Sequence, residues 1–142
     1  MQELRDASLK VTRALPNGAA TVTSVSIDTG LNAGAIGAGV LGNQAIEGEY
    51  ELTAPALATG QLGDAATMKY NIVTADSADL QTNPVTYITA AITQTGAGGA
   101  GAAGQVFRFR LPTTAKRYVG FTATNSAAGN ASAASAFLEL LL

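Results

Sequence analysis

Apolar and polar residues alternate at a period of two along most of this chain, and that alternation limits its fold more than any other feature. In an extended strand successive side chains leave opposite faces, so the pattern marks strands with one face buried. Residues 49–54 read EYELTA, with Tyr50, Leu52 and Ala54 on one face, and Pro55 ends the segment. Met68, Tyr70 and Ile72 likewise oppose Lys69 and Asn71. Phe107, Phe109 and Leu111 alternate with Arg108 and Arg110 until Pro112 stops the strand. Val119, Phe121 and Ala123 share a face of YVGFTAT, and a last strand is predicted over 132–142. Residues 85–93, VTYITAAIT, are apolar on both faces. Residues 19–28, AATVTSVSID, are rich in β-branched side chains, and their apolar phase slips between Val22 and Val25, which predicts a bulge. Leu9, Val11 and Arg13 alternate with Lys10 and Thr12. A helical period shows only weakly, over residues 2–10.

Turn signals separate these segments at Pro16-Asn17-Gly18, at 75–83 and at Ala127-Ala128-Gly129-Asn130. The pattern predicts an all-β fold, an antiparallel β-sandwich or jelly-roll-like domain of about seven to eight strands. Residues 1–16 are expected to form an extended N-terminal arm or an edge strand, removable without loss of the fold. Residues 17–142 are expected to form a single β-sandwich domain. Two Gly-rich stretches, 29–46 and 95–104 (TGAGGAGAAG), read as loops. Glycine loses more backbone entropy on ordering than any other residue, so the second is expected to be a mobile surface loop.

The chain's 142 residues suffice for a core without metal or disulfide support. Charged residues make up only 13%, about half the usual share, and the net charge is -2. A disordered chain would carry more charge and a lower mean hydropathy than the +0.22 found here. A folded domain coated with small neutral side chains fits better, and such a surface suits coverage by partners. The pI of about 4.9 speaks against nucleic acid as a partner. The first residues show no apolar signal core, and no run nears the roughly 18 apolar residues of a membrane-spanning helix, so no membrane is expected. With no Cys and no His, thiol catalysis, Ser-His-Asp triads and Cys/His metal sites are excluded. No enzyme activity and no cofactor are expected.

Three short motifs resemble chemistry. Gly37-Ala38-Gly39-Val40-Leu41-Gly42 has the spacing of a dinucleotide loop, but no strand precedes it and Gly48 interrupts any helix after it. It reads as loop. Asp28-Thr29-Gly30 is the tripeptide of aspartic proteases, in which two aspartates share a proton. Leu31 follows where Ala or Ser is usual, so the tripeptide reads as a turn closing a strand, with a retropepsin-like protease as the enzymatic alternative. Asp76-Ser77-Ala78-Asp79 offers hard oxygen ligands but lacks the rest of a calcium loop, and reads as an Asx-type turn. Tyr50, Tyr70 and Tyr87 read as caps of the core.

The segment FRFRLP, a short spacer, KRYVGFTAT and the closing SAFLELLL resemble the capsid decoration (cement) proteins of tailed bacteriophages. Arg110-Leu111-Pro112 matches the strand end of that family, and Lys116-Arg117-Tyr118 the opening of its next strand. An RDAS opening at Arg5–Ser8 and Ile27-Asp28-Thr29-Gly30, where relatives tend to have I-D-L-G, extend the likeness, which is densest over 105–123. The resemblance implies a structural virion protein, made in the host cytoplasm, that binds the outer surface of an icosahedral head and stabilises the expanded capsid. Its partner would be the major capsid protein, and the protein itself a trimer or dimer. No catalytic residue carries over. Candidate contacts are Arg5, Asp6, Lys10 and Arg13 of the arm and the basic group Arg108, Arg110, Lys116 and Arg117, since Arg pairs well with carboxylates. The structural alternative is a β-sandwich subunit of a phage or bacterial surface fibre or adhesin.

Overall fold

The alternating segments fold into nine antiparallel strands in two packed sheets, with no helix among the residues described. The structure is a computed structural model and describes residues 10–29, 49–112 and 114–141. The strands are β1 (Lys10–Ala14), β2 (Thr21–Thr23), β3 (Ile27–Asp28), β4 (Glu49–Ala54), β5 (Thr67–Ala75), β6 (Val85–Thr95), β7 (Gln105–Phe109), β8 (Tyr118–Asn125) and β9 (Ser135–Leu141). One sheet runs β1-β9-β4-β7 and the other β2-β8-β5-β6, with β3 also on β8. The inner faces carry the side chains that the alternation selects. Tyr50, Leu52, Ala54, Ala136, Leu138 and Leu140 meet Met68, Tyr70, Ile72, Val119, Phe121 and Ala123, and all are buried.

The phase slip at 22–25 is where the strand breaks. Thr23 pairs with Thr122 and Ile27 with Val119, so three residues on one side oppose two on the other. Ser24 fills the gap: its N–H donates to the Phe121 carbonyl at 2.9 Å, and its Oγ accepts the Phe121 N–H at 3.0 Å. Gly120 makes room, since a Cβ there would stand 2.4 Å from Leu80 Cδ1 and 2.7 Å from Ser24 Oγ. Leu80 is thereby folded from the 76–83 turn onto the outer side of β8, where it is buried.

Of the two forms expected for the N-terminal segment, residues 10–14 take the edge strand, and what needs correction is that the segment could be removed. Arg5 and Asp6 lie outside the described residues, but residues 10–16 belong to the sandwich. β1 completes the free edge of β9, pairing Lys10 to Ala14 with Glu139 to Ser135. Val11 and Leu15 are core residues, and Leu15 N–H and the Pro16 carbonyl bond to Ala134 and Ala131. Deleting residues 1–16 would strip a strand and two core side chains, so the fold would not survive unaltered.

The glycine run corrects a second expectation. Residues 96–104 are tied to the 55–66 segment rather than free. Leu57 and Ala102 exchange both backbone hydrogen bonds at 2.9 Å, and Gly96 exchanges two more with Ala65 and Ala66 at 2.9 and 3.0 Å. The Gly99 N–H donates to Asp64 Oδ1 at 2.9 Å. Small residues are needed here because backbone lies against backbone: a Cβ on Gly101 would sit 1.9 Å from the Leu57 carbonyl oxygen. The buried Gln94 amide anchors the same region. Its Nε2 donates to the Pro55 and Ala103 carbonyls at 2.7 and 2.9 Å, and its Oε1 accepts the Tyr70 hydroxyl at 2.9 Å.

Gly98 (φ 61°) has open space around it, so Gly98→Ala should cost about 1 kcal/mol for the left-handed backbone alone. Gly101→Ala, which adds a clash with main chain, should cost about 3 kcal/mol in urea unfolding. A free loop would make both changes silent. The tyrosines differ in a parallel way. Tyr50 and Tyr70 are both fully buried, but the Tyr50 hydroxyl has no hydrogen-bond partner among the described residues. Tyr50→Phe should therefore change stability by less than about 0.5 kcal/mol, and Tyr70→Phe should cost about 1–3 kcal/mol by orphaning Gln94. Burial pushes both hydroxyls well above the usual tyrosine value. The unfolded chain releases phenol protons near pH 10 and the folded one keeps them, so stability is full below that pH and falls as pH rises beyond it. Tyr50→Phe should make that alkaline fall shallower.

Candidate interaction surface

The two outer faces differ in chemistry. On the β1-β9-β4-β7 sheet the register places Lys10, Glu139, Glu51 and Arg108 in one transverse row, and Thr12, Phe137, Thr53 and Val106 in the next. The ammonium of Lys10 lies 4.0 Å from the Phe137 ring centre, and Arg108 Nε pairs with Glu51 at 2.8 Å. The other sheet presents hydroxyls. Thr21 and Thr124 bond through their Oγ1 atoms at 2.8 Å, and their row continues through Lys69 to Thr93. Thr23, Thr122 and Asn71 form the next row. The low charge and the Thr content of the sequence are thus expressed as one nearly neutral polar face.

The basic group predicted for docking is dispersed. Arg108 lies on an outer sheet face, whereas Arg110, Lys116 and Arg117 lie in the connection that carries the chain from β7 in one sheet to β8 in the other. Lys116 Nζ donates to Asp76 Oδ2 at 3.2 Å and to the Asn83 carbonyl at 2.6 Å. Arg117 forks onto Asp28, Nε to Oδ1 at 2.8 Å and Nη2 to Oδ2 at 2.9 Å. Among these four cations only Arg110 has no ion pair within the described residues. Arg13 is exposed on β1. Exposed pairs of this kind contribute little in water, so their cations remain able to exchange partners at an interface.

Two of the three motifs with a chemical look, at Asp28 and at Asp76–Asp79, lie among the described residues and make local contacts. Asp28 pairs with Tyr118 in the β3–β8 ladder, and its carboxylate takes the Arg117 guanidinium. The hydrogen bonds and charge of Asp28 raise the Arg117 pKa further, so the guanidinium stays charged. Asp76 is held below the ordinary carboxylate range by the Asn83 amide and then by Lys116. Asp79 is lowered by the Ser77 hydroxyl and the Gln81 N–H, the bonds of an Asx-type turn. The 37–42 glycine motif lies outside the described residues. No three His, Cys, Asp or Glu side chains gather among the described residues. An open groove of about 680 Å³ is lined by Ala56, Leu57, Ala58, Gln61 and residues 100–103, none of them an acid, base or nucleophile.

Sequence reasoning missed the flank formed by β6 and β7. The strand that is apolar on both faces is not central. It is the edge of its sheet, and Val85 and Tyr87 are exposed, at 48% and 39%. Tyr87, expected to cap the core, tilts against the buried Phe109 from this exposed edge and donates its hydroxyl to the Arg110 carbonyl at 3.1 Å. The signal was available: no charged residue occurs between Asp79 and Arg108. The sequence matches no protein-family model and no curated protein.

Proposed function

We propose that this chain is a non-enzymatic structural protein that binds the outer surface of an icosahedral phage head and stabilises the expanded capsid. The observation that carries the reading is the resemblance over 105–123, because its residues are those that join the two sheets. Arg110-Leu111-Pro112 closes β7, with Leu111 in the core, and Lys116-Arg117-Tyr118 opens β8 while Arg117 clamps Asp28 of β3. A motif made of such ties preserves an architecture and carries no chemistry.

The strand order supports the reading. With β2 and β3 counted as one interrupted strand, we read the two sheets as a jelly roll, an arrangement that recurs in viral capsid domains. The surface supports it as well, with a neutral threonine face and cations held in exchangeable pairs. A protein that binds the expanded lattice and not its precursor stabilises the expanded state by mass action, and several weak contacts suffice when they engage together. The partner would be the major capsid protein, with the subunit acting as a dimer or trimer.

The test is co-sedimentation of the purified chain with heads assembled from the major capsid protein of its phage. Saturable binding to expanded heads and none to compact precursors is expected. Equal binding to both, or to neither, would overturn the proposal.

A further inference from the structure

The sheet edges are not equally protected. Natural edges are kept from pairing with other chains by shortness, charge or breaks. β1 carries Lys10 and Arg13, β2 and β3 span three and two residues, and β7 spans five and carries Arg108. β6 is the longest strand of all at 11 residues, and it has no charged side chain. Val85, Tyr87 and Val106 on this flank are three of the four large apolar side chains exposed among the described residues. The register of β6 shifts once between the Val73–Thr86 and Ile72–Ile88 pairs and again, as a wider bulge, between Ile72–Ile88 and Tyr70–Ile92. There Ala90 takes φ 53° and its N–H turns inward to Asn71 Oδ1 at 2.8 Å. The bulge bends the edge but adds no charge to it.

We propose that β6 is a self-association edge, and that two copies pair these strands antiparallel across a two-fold axis. Such an interface must be self-complementary, and the charges at the two ends of β6 meet that condition. Arg110 stands at the Val85 end, fixed there by the Tyr87 hydroxyl. Asp64 stands at the Thr95 end, bridged to Gly96. Antiparallel pairing about the strand centre brings Arg110 of each copy toward the partner's Asp64. Parallel pairing would set like charge against like. Arg110 is also the member of the basic group that has no ion pair among the described residues. A second copy therefore supplies what this edge lacks: a ladder partner without charge and a carboxylate for Arg110.

The inference shares with the proposed capsid role only the expectation of a homo-oligomer, and it is tested on the free protein. Analytical ultracentrifugation of the full chain over a wide concentration range should show a monomer–dimer equilibrium. Thr95→Lys places a cation where it meets the partner's Arg110 and should weaken association at least about tenfold, as should Arg110→Glu. The two changes together should restore it, because the introduced charges then face each other with opposite sign. Thr21→Lys on the β2 edge should change nothing. Thr95 and Arg110 are exposed, and circular dichroism would verify the fold of each variant. A chain that stays monomeric, a dimer indifferent to both single changes, or a double variant weaker than either single one would overturn the pairing. Head binding by a strict monomer would still leave the capsid role standing.

Discussion

The Gln94 side chain is the point on which much of this sandwich depends. It is a fully buried amide reaching from β6 to two carbonyls beside the opposite sheet, Pro55 and Ala103, while holding the Tyr70 hydroxyl of β5. A buried amide without partners would be costly, and one fully partnered fixes a single arrangement. Its bonds decide where β6 can lie, how the glycine loop returns to β7 and how the two sheets meet at that end.

The same logic explains the glycines. A run such as TGAGGAGAAG reads as a segment with nothing to pack, since packing is usually inferred from side chains. Here the packing is main chain on main chain, and what a side chain would prevent is the point. Gly96 and Gly101 approach the Gly63 and Leu57 carbonyl oxygens more closely than any Cβ would allow. Their neighbours Gly98 and Gly99 turn the loop in open space. Composition alone does not separate these two uses of glycine.

Much of the fold was legible in the sequence for a simple reason. A strand with one buried face writes its orientation directly into alternate positions, so Tyr50-Leu52-Ala54, Met68-Tyr70-Ile72 and Val119-Phe121-Ala123 all point inward as read. The phase slip at Val22–Val25 marked a real break, because one extra residue must shift every later side chain to the other face. Alternation is silent on which strands are neighbours. It therefore left β6 unplaced, and the both-faced apolarity of 85–93 marks an uncovered edge rather than a buried centre. The basic group was legible as residues but not as a surface. Arg108, Lys116 and Arg117 meet Glu51, Asp76 and Asp28 from distant parts of the chain, and no local pattern announces such pairs.

What unites these features is a subunit whose polar chemistry is spent on holding itself together and whose exposed surface is mostly neutral. Asp28 and Asp76 tie distant segments together through Arg117 and Lys116, and the segment carrying the capsid resemblance is the tie between sheets. The most direct measurement of the central claim is a cryo-electron microscopy reconstruction of expanded heads incubated with the purified chain. The account predicts ordered density of sandwich size on the outer surface at junctions between capsomers. Heads with bare outer surfaces at saturating protein would contradict it.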